Sequence, residues 1–214
     1  MNKLIEKFSL KILILPLIFF FGFIGHVVPE VRELIGSLSP YTLFAINLAL
    51  ICLIFKTKSK KLILWTLLTI VITFIIEAIG VRYGIIFGEY SYGNTLGFKI
   101  FDVPLIIGLN WVMVMLGAIE FIRSLNIKKP FILIFAPILT CLFDFFLEPV
   151  AIKLDYWHWK YTEVPLQNYL AWYLISLIAT VVYLKLNVNQ KFESLRIYFI
   201  CQLIFFIGLR IVLI

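Results

Sequence analysis

Two carboxyl groups stand inside runs of residues that lipid would dissolve. Glu77 closes the apolar stretch from Leu62 to Ile76, and Asp144 lies within another, followed four residues later by Glu148. An ionised carboxylate in lipid costs about 2.5 kcal/mol or more, so intramembrane acids face a bundle interior or a wet cavity. There they either pair with a cation, for which Arg82 and Lys153 are available, or serve chemistry or transport. The i, i+4 spacing of Asp144 and Glu148 puts both on one helix face, and Pro149 disfavours continuation of that helix.

Other polar residues fall at a matching depth. Counted from the lysine-rich ends of their segments, Glu77 and Asp144 are sixteenth and fifteenth, roughly 22 to 24 Å along a helix. Counted from the opposite ends, Asn47, Asn110 and Asn168 lie within two turns of their helix starts, and His26 sits near the outer end of its segment. Six segments thus contribute a polar group to one layer, which implies a pocket opening near the outer surface. For His26 alone, a hydrogen-bonded structural role is the expectation.

The elements that carry this layer follow from composition. Hydrophobic residues make up 63% of the 214 and charged residues 14%, against roughly half and a quarter in soluble domains. Such a chain lacks a polar exterior, so its solvent is the lipid bilayer. Seven hydrophobic stretches can be drawn, at about 10 to 28, 41 to 55, 62 to 81, 104 to 122, 130 to 147, 164 to 184 and 197 to 214. Most have the length of a membrane-spanning helix, and the second is short. The expected fold is all-α, a polytopic membrane bundle of about seven helices. The first stretch lacks a small-x-small cleavage pattern and is expected to remain in the mature protein.

Lys3, Lys7, Lys11, Lys56, Lys58, Lys60, Lys61, Arg123, Lys128, Lys129, Lys185, Lys191 and Arg196 fall on one side of this topology, thirteen of the nineteen basic residues. The positive-inside rule makes that side cytoplasmic, with the N-terminus in and the C-terminus out. A multi-pass protein of the plasma (inner) membrane, with its site near the non-cytoplasmic face, is the expectation. The longer connections, Pro29 to Pro40, Arg82 to Val103 and Glu148 to Glu163, lie on that opposite face. No internal repeat or linker divides the chain, so residues 1–214 read as one domain.

Several function classes find no support. The net charge of +7 is not gathered into a basic stripe interleaved with exposed aromatics, so no nucleic acid is expected. Cys52, Cys141 and Cys201 are isolated in apolar runs. Two distant histidines and a D-x-x-x-E form no recognisable metal set, and no N-D-x-x-D, Gly-rich phosphate loop or G-x-S-x-G elbow is present. Gly80, Gly84, Gly88, Gly93 and Gly97 allow either close helix packing or a re-entrant loop after the third helix; Tyr90, Tyr92 and Asn94 favour the loop. Trp111, Trp157, Trp159 and Trp172, with Tyr83, Tyr90, Tyr92, Tyr156, Tyr161 and Tyr169, read for the most part as an interfacial aromatic belt.

The segments "FGEYSYGNTLGFKIFDVPLIIGLNW" (87–111), "DFFLEPVAIKLDYWHW" (144–159) and "VPLQNYLAWYLIS" (164–176) resemble the membrane carotenoid hydratase family, which includes bisanhydrobacterioruberin hydratase and the γ-carotene and lycopene 1,2-hydratases. The resemblance runs from about Glu77 to Ser176. It implies addition of water across the terminal C1=C2 double bond of an acyclic ψ end group, giving a tertiary alcohol with no redox cofactor. It implies a lipid-soluble carotenoid and water as partners, and admits other carotenoid-pathway enzymes.

Chemistry placed on the matching positions assigns provisional roles. Protonation at C2 leaves the positive charge on tertiary C1, which water then attacks. A carboxyl in an apolar pocket can stay protonated and donate, a role that suits Glu77 or Asp144. A better-solvated carboxylate, Glu148 or Glu89, would orient the water and take its proton. Trp157, Trp159 and Tyr90 would stabilise the cation, by about 0.5 to 2 kcal/mol per contact. Asn94, Asn110 and Asn168 would hold the water or fix the acids, and Arg82 is a further candidate for binding. A membrane lycopene-type cyclase shares the protonation step and differs in the quench. A small transporter or receptor is the rival from another class.

Overall fold

The computed structural model describes residues 2–161, 163–188 and 190–214, with side chains from residue 13 onward. Lys3, Lys7 and Lys11, counted above among the basic residues of one face, lie outside the described side chains. The helices are α1 (Asn2–Val27), α2 (Pro29–Lys56), α3 (Lys60–Tyr83), α4 (Leu105–Ser124), α5 (Lys129–Lys153), α6 (Leu166–Lys185) and α7 (Glu193–Leu213). Short strands β1 (Tyr90–Tyr92), β2 (Lys99–Ile100) and β3 (Val103–Pro104) lie between α3 and α4, and β4 (Trp157–Trp159) lies between α5 and α6. Six helices, α2 to α7, are long and apolar enough to cross a membrane, and α1 adds the shorter apolar stretch Leu13–Val27.

Two expected boundaries are corrected. Pro29 to Pro40 is not an outer connection but the first turns of α2, with Pro29 in the first turn and Pro40 inside the helix. Proline suits a helix start because its missing N–H would have no partner there anyway. Arg32 ties this start to the end of α1, donating to the carbonyls of His26 at 2.8 Å and Val27 at 3.0 Å. Likewise α5 does not end at Pro149 but runs on to Lys153. Proline removes the donor that would serve the carbonyl of Phe145, one turn back. Arg210 of α7 supplies the replacement, donating to that carbonyl at 3.0 Å.

α4 forms the axis of the bundle. It is buried over 72% of its apolar window, whereas the other five spans lie between 28% and 39%, and it packs against α2, α3, α5, α6 and α7. The outer helices therefore turn apolar side chains such as Leu64, Leu67, Leu68 and Val71 of α3 away from the protein. A helix that is apolar all round is explained by lipid on one side and α4 on the other.

The α2–α3, α4–α5 and α6–α7 connections share one end of the bundle, where Arg123 reaches the carbonyls of Val188 and Gln190 at 3.0 Å each. We call it the basic end. At the opposite, aromatic end the segment after α3 folds over the bundle. Gly84, at φ 66°, caps α3 in the left-handed conformation, where a Cβ is disfavoured. The chain then returns as β1, which pairs antiparallel with β4 in the register Tyr90↔Trp159, Ser91↔His158, Tyr92↔Trp157. Gly93 follows, and a Cβ there would stand 2.1 Å from the carbonyl oxygen of Asp155, so only glycine lets the two loops meet.

Candidate active site

The β1–β4 ribbon explains how the site is built. Side chains alternate across a strand, so Y-S-Y and W-H-W each send two aromatic groups to one face and one small or polar group to the other. The paired register stacks Tyr90, Tyr92, Trp157 and Trp159 on the face toward the bundle, with Ser91 and His158 exposed. These four rings close over a cavity of about 60 Å³ that is also lined by Glu77, Asn110, Trp111, Asp144, Glu148, Tyr156, Asn168, Trp172 and Gln202.

Three carboxyl groups meet there, all deeply buried: Glu77 is 4% exposed, Asp144 0% and Glu148 2%. Glu77 accepts at Oε2 from the hydroxyls of Tyr90 and Tyr92, the latter at 2.8 Å, and at Oε1 from Trp111 Nε1 at 2.7 Å. Glu148 accepts at Oε2 from Trp157 Nε1 at 2.9 Å and Trp159 Nε1 at 2.8 Å, and at Oε1 from Asn168 Nδ2 at 3.2 Å. Asp144 accepts at Oδ2 from the same Asn168 Nδ2 at 2.6 Å. Its Oδ1 is buried and has no hydrogen-bond partner among the described residues.

A second polar group completes the wall. Asn110 Oδ1 accepts from Gln202 Nε2 at 2.9 Å and Tyr198 Oη at 3.3 Å, while Gln202 Oε1 is buried without a partner. Trp111 and Trp172 stack with ring centroids 3.7 Å apart and planes at 19°. Burial, and then the adjacent Glu77, push the phenols of Tyr90 and Tyr92 well above their ordinary pKa. Both therefore remain protonated and act as donors.

Of the residues singled out in the sequence, Glu77, Asp144, Glu148, Tyr90, Asn110, Trp157, Trp159 and Asn168 come together in this cavity. Glu89, Arg82 and Asn94 do not. Glu89 is exposed and paired with Lys160 at 2.5 Å, Arg82 is exposed beside the ring of Tyr83, and Asn94 is exposed with its backbone N–H donated to Asp155 Oδ2 at 3.2 Å. Arg82 lies in the last turn of α3 with its side chain exposed, and Glu89 and Asn94 lie in the connection on either side of β1, where they are exposed. Nor is Glu148 better solvated than the other two acids, because Trp157 and Trp159 cover it. Structural pairing with Arg82 or Lys153 is not observed for Glu77 or Asp144; their polar contacts are to tyrosine, tryptophan and asparagine.

The six-helix layer is also redrawn. His26 binds the carbonyl of Gly22 at 2.7 Å and approaches Ser39 at 3.4 Å, and Asn47 is buried on α2; neither lines the cavity. The layer instead draws on α3 to α7, the last through Gln202, which sequence reasoning missed. Its signal was a lone amide in the apolar run "FICQLIFFIGL". Tyr83 and Tyr161 are 61% and 68% exposed, as a belt requires, whereas Trp111, Trp157, Trp172 and Tyr156 are buried in the site and do not belong to one. Among the described residues no group of three or more His, Cys, Asp or Glu is placed to hold a metal ion.

The sequence is similar to known proteins. A family model described as carotenoid biosynthesis protein matches residues 38–214, which include α2 from Leu38 onward, all of α3 to α7 and every wall residue named above. Bisanhydrobacterioruberin hydratase of Haloarcula japonica is 26% identical over 157 residues, covering 65% of this chain. The chain spans about half the length of that relative, at 50%. No solved structure matches it. A match extending over most of the chain, and over all the elements that build the three-carboxyl pocket, shows that the chain belongs to the carotenoid biosynthesis protein family.

Proposed function

We propose that this protein hydrates the terminal C1=C2 double bond of an acyclic carotenoid end group, with Asp144 as the proton donor. The observation that carries the reading is the free Oδ1 of Asp144 in a pocket of aromatic faces. Both oxygens of Glu77 and of Glu148 are held by N–H or O–H donors. Such donors favour a carboxylate and leave it little occasion to give up a proton. Asp144 is the acid with an oxygen that no donor occupies.

The steps balance within the pocket. Asp144 gives its proton to C2, and the C1=C2 π electrons form the new C–H bond. The tertiary cation at C1 lies among aromatic rings whose faces stabilise positive charge, and the Glu77 carboxylate adds electrostatic stabilisation. Water, held by Gln202 Oε1 and Glu148, bonds through oxygen to C1 and passes a proton to Glu148. Asn168 touches both Glu148 and Asp144, so the return of that proton to Asp144 needs only a short relay. The name of the Haloarcula relative supports this choice of quench. The chain acts as an integral protein of the plasma membrane, with its pocket near the non-cytoplasmic face.

The test is the mass of carotenoids from a host that makes lycopene or γ-carotene, with and without this chain. Gain of one water per modified end is expected. An isomer of unchanged mass with a shorter chromophore would assign the cation to ring closure instead, and no change with either substrate would reject both.

A further inference from the structure

The acid pocket is too small for a long hydrocarbon, yet a larger space adjoins it. A cavity of about 420 Å³ runs between α1, α2 and α7 and shares Leu43, Tyr156, Gln202 and Phe206 with the acid pocket. We propose that this groove binds the linear polyene stem of the isoprenoid whose end group enters the acid pocket, with those four residues as the neck between stem and head. The assignment rests on the function proposed above for the adjoining pocket.

Shape and chemistry both fit this occupant. Along α1 the lining extends from His26 to Ile14, twelve residues or roughly 18 Å at helical rise, so the groove suits a long, thin molecule. Its polar residues are turned inward on their own helices. His26 binds the Gly22 carbonyl, Ser39 the Ile35 carbonyl at 2.7 Å, and Thr42 the Leu38 carbonyl at 3.1 Å. What faces the groove is therefore apolar, with Phe19 and Phe205 among the rings along it. Among the described residues a hydrocarbon stem meets no unpaired polar group until it reaches the neck, where Gln202 and the Tyr156 hydroxyl stand beside the reacting end. The wall at Gly22 has no side chain, and a Cβ there would stand 3.7 Å from Phe205, so the backbone tolerates a larger residue whose bulk would fill the groove.

Pigment retention tests this without relying on catalysis. The full chain is purified in detergent from a host accumulating an acyclic carotenoid, and pigment per mole of protein is measured by absorbance. Gly22→Leu and Thr42→Phe, which fill the groove from opposite helices, should each retain at least about fivefold less pigment than wild type, with unchanged melting temperature. Gly36→Leu, the same replacement where nothing lies within 4 Å and outside the groove, should retain the wild-type amount. If one filled variant melts early, the other gives the reading. Wild-type pigment in the folded variants, or phospholipid in place of pigment in the wild-type protein, would overturn the assignment. Pigment held by wild type and lost from the filled variants, but never gaining water, would uphold the groove and refute the hydratase reading.

Discussion

The two ends of the bundle each bury acid side chains, and they do so in opposite ways. At the basic end Glu120 is 4% exposed and lies 2.5 Å from the guanidinium of Arg123. Its Oε1 also accepts from Tyr183 at 3.1 Å, and its Oε2 accepts the Phe192 N–H at 3.0 Å. This carboxylate has a counter-ion and fastens α4 to α6 and to the start of α7. At the aromatic end Glu77, Asp144 and Glu148 are as deeply buried, but no lysine or arginine forms an ion pair with them among the described residues. A buried acid beside a guanidinium makes a structural tie. Three acids with only neutral donors are costly to maintain, and such cost marks a site of function rather than of support.

The contrast breaks most sharply at Asp144. Asp144→Asn keeps the shape and the contact with Asn168 but removes the proton, so water addition should fall about 100-fold or more while the protein still melts near the wild-type temperature. Product mass from a carotenoid-making host reads the first, and thermal unfolding in detergent the second. Retained activity would place the acid elsewhere.

Glu120→Gln should show the reverse. Leaving Arg123 without its partner is expected to cost about 3 kcal/mol of stability, with hydration per folded molecule within twofold of wild type. A loss of activity without a loss of stability would dissolve the distinction between the ends.

Within the aromatic end, Trp159→Phe sharpens the account of Glu148. It preserves a ring over the pocket and removes one N–H···O bond, so a fall in rate of about tenfold is expected, the worth of one hydrogen bond to a charged group. A wild-type rate would make the indole merely a lid.

The smallest effect concerns pH at the surface of the ribbon. Asp155, outside the spans, is held below the usual carboxylate range, first by its bond to His158 at 2.6 Å and then by the Asn94 N–H. A depressed carboxyl stabilises the fold above its unfolded pKa of about 3.9, and that contribution is lost as pH falls through the lower folded value. The ribbon should therefore open slightly below about pH 4, and Asp155→Asn should abolish that dependence. Proteolysis of the loop between α5 and α6 across this range would measure it.

Much of the bundle was legible beforehand because lipid makes unusual demands on composition. A run of apolar residues long enough to span a bilayer has few alternatives to a helix, since its backbone groups must bond internally. The depth of Glu77, Asp144, Asn110 and Asn168 followed from helical rise alone. The start at Pro29 was misread because proline is at home in a first helical turn, and the end at Pro149 because proline's effect inside a helix depends on what replaces its missing donor. At Pro149 that replacement is Arg210, sixty-one residues away.

Sequence by itself determined the class of the chain, the helical spans and the level at which polar groups gather, because those depend on local hydrophobicity and a fixed rise per residue. Tertiary structure alone decided which polar groups share a pocket. Pairing of β1 with β4 turned four supposed belt residues into the roof of the site and left Glu89 and Asn94 outside it, and the packing of α5 on α6 gave Asn168 to one oxygen of Asp144 and no donor to the other. Such outcomes depend on strand register and on contacts between segments far apart in the chain, which no local pattern encodes.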